Sequence, residues 1–224
     1  MAIGSRSKKR FTTRLGLRSS GLLMTPEEFD DLPDDVFNRH LRYELINGVL
    51  IVTPPPGNAE IAPNSELGHL VWYYKHYHPQ GSIVDEVLAE QTIHATPQRR
   101  RADHAIWTGL GRVPDVKKDV PSIVVEFVSP KKRDHRRDYE EKRAEYLGIG
   151  VREYWIIDRF QRIMTVCLNR PEGVASLVVK EAETYQTDLL PGFALPMAQL
   201  LARADDWARK SRNPRRKPLE GDPR

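Results

Sequence analysis

The stretch Ser122-Ile123-Val124-Val125-Glu126-Phe127-Val128 constrains the fold of this chain more than any other. With a period of two, Ile123, Val125 and Phe127 point one way and Val124 and Val128 the other, so both sides of the pleat are apolar. A strand of that kind is central and covered on both faces. The chain must therefore supply covering layers, and helical patterns lie on either side of the strand. Thr25-Pro26-Glu27-Glu28 carries an N-cap, a first-turn proline and a capping box. Residues 64–77 place Leu67, Leu70, Val71 and Tyr74 at helical spacing, with Asn64 or Ser65 as cap. A further helix spans about 135–147 and ends at Gly148, and a short one covers about 196–207. Arg42–Ile46 and Val49–Thr53 flank Asn47-Gly48, a hairpin signal. Strands are expected at 86–95 and 102–108, separated by a polar turn holding Arg99, Arg100 and Arg101. Others are expected at 152–158 and 162–168, with a weaker one over 174–180. The fold class is thus α/β or α+β, a mixed sheet flanked by helices.

Glu126 interrupts the apolar strand on the face of Val124 and Val128. A buried carboxylate is costly, so it requires a cation, a hydrogen-bond network or a metal ion. A salt bridge to an arginine would satisfy it equally well. Asp103, 23 residues earlier, shares a face with Ala105 and Trp107 and suits a neighbouring strand, although an aspartate at a strand start also serves turns. Two carboxylates on adjacent central strands make an oxygen-rich site suited to Mg²⁺ or Mn²⁺ rather than Zn²⁺. Lys142 lies three residues after Tyr139 and four before Tyr146, which places it on the inward face of its helix. The alternative is a snorkelling lysine that bridges Asp138 or Glu145. Glu44, on the face of Ile46, is either a further acid or a solvated hairpin residue. Lys131, Lys132, Arg133, Arg136 and Arg137 lie between the Glu126 strand and the Lys142 helix, and would hold a phosphate backbone or form a solvated loop. There is no phosphate loop, G-x-S-x-G elbow or H-E-x-x-H motif, and His69, His76 and His78 form no zinc pattern with Cys167.

Charge is unevenly distributed. Residues 1–20 and 209–224 hold 13 of the 35 basic residues and 2 of the 31 acidic ones, so the net charge of +4 belongs to the ends and the body is acidic. The expected organisation is a basic, disordered arm over 1–23, one domain over 24–207 and a basic tail over 208–224. The first twenty residues also have the Arg/Ser-rich, acid-free character of a transit peptide, and an untargeted arm is the preferred reading. A single cysteine excludes an intrachain disulfide framework, and no apolar run approaches the ~18 residues of a membrane span. A cytoplasmic location and no membrane partner are expected.

Six segments in order resemble the bacterial Uma-two family, whose members are grouped with restriction endonucleases of the PD-(D/E)XK fold. They are Tyr43–Gly48, Thr53–Pro56, Asp103 after an arginine run, Val124–Pro130, Glu141-Lys142 through Gly150–Asp158, and Leu189–Phe193. The resemblance covers about residues 24–207. It implies a Mg²⁺- or Mn²⁺-dependent phosphodiesterase acting on DNA, with Asp103 and Glu126 as the metal-binding acids, Glu44 as an additional acid and Lys142 as the catalytic lysine. The superfamily pattern places that lysine two residues after the second acid, where this chain has Val128; the resemblance implies its transfer to the following helix. Ala102 replaces the usual proline before the aspartate. A homodimer would suit cutting of both strands. A DNA-binding module without turnover, and a domain whose carboxylates form structural ion pairs, are the competing readings.

Overall fold

The strand that carries Glu126 lies in the larger of two compact units of the chain. The computed structural model describes residues 14–129 and 137–212. Within these, the first unit comprises residues up to Pro55 together with His94–Arg101, and the second comprises Pro56–Ile93 and the residues from Ala102 onward.

The first unit contains helix α1 (Pro26–Asp30) and the hairpin of β1 (Arg42–Ile46) and β2 (Val49–Thr53). Thr25 and Glu28 form the expected reciprocal cap. Asn47 and Gly48 both adopt positive φ, 51° and 75°, as a tight two-residue turn requires. Leu45 of β1 pairs with Arg99. Residues 14–23, expected within a disordered arm, are folded here: Leu15 is buried and bridges Phe37, and Leu23 bridges Val49. Leu15 also offers its carbonyl to the Tyr43 hydroxyl at 2.8 Å. Residues 1–13 and 213–224 lie outside the described residues.

β3 (Val84–Ala95) and β4 (Gln98–Thr108) are longer than expected, and the turn between them is at Thr96-Pro97. Arg99, Arg100 and Arg101, assigned to that turn by their polarity, belong to β4. A charged residue can occupy a buried strand when it is paired, and the Arg99 guanidinium forks onto Asp30 at 2.8 and 2.6 Å.

The second unit's sheet runs β4–β5–β6–β7–β8, with β3 on β4. β5 is Ile123–Phe127, β6 Glu153–Asp158, β7 Ile163–Arg170 and β8 Gly173–Lys180. β5 runs antiparallel to β4, with Ala105 opposite Val124, and parallel to β6, with Val125 opposite Trp155. A parallel pair needs a crossover, and helix α3 (Lys142–Gly148) lies on it. β5 is buried at every residue. On one face Ile123, Val125 and Phe127 pack with Leu67 and Val71 of α2 (Asn58–Tyr77) and with Leu200 and Leu201 of α4 (Met197–Arg212). On the other, Val124 and Val128 pack with Tyr146 of α3 and with Tyr154 and Ile156 of β6.

α2 starts six residues before the expected cap, after Gly57. Asn64 is therefore interior, and its carbonyl is met by His104 Nε2 at 2.8 Å. Gly68 makes that approach possible, since a Cβ there would lie 3.0 Å from His104 Cε1. Among the described residues no helix is long and apolar enough to cross a membrane.

Candidate active site

β5 directs Glu126 at α3, where it is 4% exposed. Its Oε1 accepts hydrogen bonds from Lys142 Nζ at 2.7 Å and the Tyr146 hydroxyl at 3.0 Å. Those two donors are four residues apart, so they occupy the same helix face one turn from each other. Both are fully enclosed, so Lys142 is not the snorkelling surface lysine.

The residues before α3, Arg137–Glu141, form a π-helical turn. Such widened turns commonly accompany functional sites. This one carries Asp138, which is 1% exposed. Its Oδ1 lies 3.8 Å from Lys142 Nζ and 3.3 Å from Arg137 Nε, and its carbonyl accepts the Tyr154 hydroxyl at 2.9 Å. Asp103 comes from β4, on the face of Ala105 and Trp107, and its Oδ2 accepts the Phe127 N–H at 2.7 Å. That bond fixes the carboxylate against the end of β5.

Glu126 and Asp138 thus flank one buried ammonium, and Asp103 is near enough to both acids to act on them electrostatically. Burial, above all, pushes Glu126 up to about 8; Lys142 opposes the shift, while Asp103 and Asp138 reinforce it. Asp138 is also raised by burial, against the pull of Lys142 and Arg137. Burial and the charges of Glu126 and Asp138 hold the Tyr154 hydroxyl well above its ordinary value, so it stays a donor. Burial dominates each of these shifts, and the neighbouring acids add to it.

The donor set suits a hard divalent cation. All the side-chain donors are carboxylate oxygens, and Glu126 Oε2 accepts no hydrogen bond from the described residues. Among those residues no group of three or more His, Cys, Asp or Glu side chains is placed to hold a metal ion. Mg²⁺ does not require one: it keeps several waters and binds through one or two carboxylates. The residues therefore fit a hydrated Mg²⁺ or Mn²⁺, and they do not fit a closed structural metal site.

Asp138 and Tyr146 were not singled out as site residues by their sequence positions. Asp138 precedes Lys142 by four residues, a spacing that also describes an ordinary surface ion pair, so nothing in it marked a buried aspartate. Glu44 belongs to the first unit, where its Oε1 accepts the Arg101 N–H at 3.0 Å. Of the basic run, Lys131, Lys132, Arg133 and Arg136 lie outside the described residues, and Arg137 is turned onto Asp138.

The sequence profile of the Uma2 family, described as "Putative restriction endonuclease", matches residues 26–198. No curated protein matches. A crystal structure described as a putative nuclease from Anabaena variabilis is similar in fold, with a TM-score of 0.62 at 18% identity. The match covers 81% of this chain and 99% of that one.

Proposed function

The chain belongs to the Uma2 family of putative restriction endonucleases, and on that premise we propose that it is a metal-dependent endonuclease that hydrolyses DNA phosphodiester bonds. The observation that carries the reading is the enclosed Lys142, whose ammonium lies 2.7 Å from Glu126 and 3.8 Å from Asp138, with Asp103 held against the end of the Glu126 strand. Asp103 and Glu126 are the residues that would hold Mg²⁺ or Mn²⁺, which when bound supplies Lewis-acid activation of the scissile phosphate and of the attacking water.

The chain's own groups account for the rest. The Phe127 N–H orients Asp103, and Lys142 with Tyr146 fixes Oε1 of Glu126, so Oε2 is presented in one direction. Lys142 offers a positive charge held in place before reaction, in a setting of low polarisability. Such a charge stabilises the phosphoryl transition state without reorganisation. Asp138, 3.8 Å from Nζ, positions that lysine from the preceding turn. The basic run that leads into α3 in the sequence supplies cations for the DNA backbone. Glu44 belongs to the first unit and takes no role in this proposal.

A second reading, a DNA-binding domain without turnover, is favoured by the direct Lys142–Glu126 contact, which already neutralises one of the acids. The two are separated by incubating the full chain with duplex and single-stranded DNA in Mn²⁺, with a chelator control. Cleavage that requires the metal is expected. Binding without cleavage of any substrate would favour the second reading.

A further inference from the structure

Among the described residues β8 closes the strand order of its sheet and has a single neighbour, β7. Three observations establish which way its backbone groups point. The Asn169 N–H bonds the Arg152 carbonyl at 2.8 Å, so the odd-numbered residues of β7 face β6 and the even-numbered ones face β8. The Glu181 N–H bonds the Arg162 carbonyl at 3.2 Å, continuing that alternation past the end of the ladder. The Lys180 N–H is taken by the Glu183 carboxylate at 2.6 Å rather than by β7. The N–H and C=O groups of Ala175, Leu177 and Val179 thus face β7, and those of Val174, Ser176 and Val178 face outward, where no described residue takes them.

An outer strand with open backbone groups is a template for another strand, and proteins usually blunt it with charges, prolines or bulges. β8 has none of these between Gly173 and Val179, and its register with β7 is unbroken. Its apolar side chains lie open on both faces: Val174 is 50%, Leu177 37% and Val178 54% exposed.

We propose that β8 pairs antiparallel with β8 of a second copy of this chain, about a two-fold axis at Ser176, so that the two sheets become one. The strand is complementary to itself in that register. Val174 meets Val178 of the second copy, Ser176 meets Ser176, and Ala175 meets Leu177. Each of the three outward-facing pairs exchanges two hydrogen bonds. Glu172, at the β7–β8 turn, comes opposite Lys180, so each end of the ribbon gains an opposite-charge pair. Shifting the register by two residues in either direction separates these charges. This match to its own sequence selects a second copy as the occupant rather than an unrelated strand, and it generates a closed two-fold dimer.

The test is sedimentation velocity of the full chain over a concentration series. A monomer–dimer equilibrium is expected. Val178→Lys should weaken it by about tenfold or more, with an unchanged melting temperature, because position 178 is solvent-exposed in the monomer. Ser176→Pro should do the same, since its ring replaces an N–H that β7 does not use. Lys180→Glu should weaken the dimer several-fold, and Glu172→Lys with Lys180→Glu should restore it. A wild-type monomer at the highest soluble concentration would overturn the proposal and leave the edge to a strand of another protein. So would a dimer indifferent to both edge variants, or a charge exchange that restores nothing.

Discussion

Glu126 and Glu153 stand on neighbouring parallel strands, both almost sealed from solvent, and their surroundings differ in kind. Glu153 is surrounded by neutral donors. Its Oε2 accepts the Trp155 indole N–H at 2.8 Å and the Tyr185 hydroxyl at 3.0 Å, and its Oε1 accepts the Thr187 hydroxyl. Both oxygens are engaged, and the donors come from β6 and from the chain that follows β8, so this carboxylate ties the sheet to its C-terminal covering. Glu126 instead receives a cation and one hydroxyl on a single oxygen, with two further carboxylates nearby. A buried acid whose donors are neutral and complete stabilises architecture. One that meets an ammonium and a hydroxyl on a single oxygen, beside two other acids, is the candidate for chemistry.

The comparison predicts opposite responses to mutation. Glu153→Ala strands three buried donors, and at about 1–3 kcal/mol for each unsatisfied group the loss should be about 3 kcal/mol or more in urea unfolding. The cleavage rate per folded molecule should not change. A stability loss below about 1 kcal/mol would show that the donors find other partners and would remove the contrast.

Lys142→Met addresses the other side. Removing one preorganised charge should slow single-turnover cleavage by about 10²–10³ at saturating Mn²⁺. The fold should suffer less than the loss of a buried ion-pair partner usually implies, since Glu126, already pushed up to about 8, can take a proton instead. Equal rates for the two proteins would reduce the lysine to a structural counter-ion.

A third carboxylate sharpens the contrast with a smaller effect. Asp119, in the loop after β4, is gripped by Arg112 at 2.5 and 2.8 Å and lowered to about 2, mainly through those bonds and that to the Asp115 N–H. The pairing resembles Glu126–Lys142, yet the shift has the opposite sign, because the loop pair remains in contact with water while the other pays for desolvation. A lowered carboxylate contributes stability above its unfolded value near 3.8, and that contribution is lost as pH falls from there toward about 2. An NMR titration should show Asp119 rising toward its ordinary value in Arg112→Ala. No movement would assign the shift to the backbone bond alone.

Much of this was legible in the sequence, for local reasons. The two-sided apolar pattern of β5 and the Asn47-Gly48 turn are consequences of side-chain alternation and backbone sterics, and both act within a few residues. The inward placement of Lys142 followed from the helical spacing of Tyr139 and Tyr146. What escaped depended on distant partners. Arg99 reads as a turn residue until Asp30, far away in sequence, takes its guanidinium. Asp138 reads as a surface acid until β6 brings the Tyr154 hydroxyl onto its carbonyl. Residues 14–23 read as an arm because their basic charge masks Leu15, which becomes buried.

The central proposal is that the carboxylates around Glu126 form a divalent-cation site, and thermal unfolding with and without Mn²⁺ tests it most directly. At roughly ten times the dissociation constant, a ligand that binds only the folded state stabilises it by about 1.4 kcal/mol, or about 3–6 °C for a chain of this size. The wild type should gain that rise. Glu126→Gln should melt at or above the metal-free wild type and gain nothing from Mn²⁺, while Glu153→Gln should melt lower and still respond. Identical melting of the wild type with and without Mn²⁺, or an equal gain in Glu126→Gln, would contradict the account.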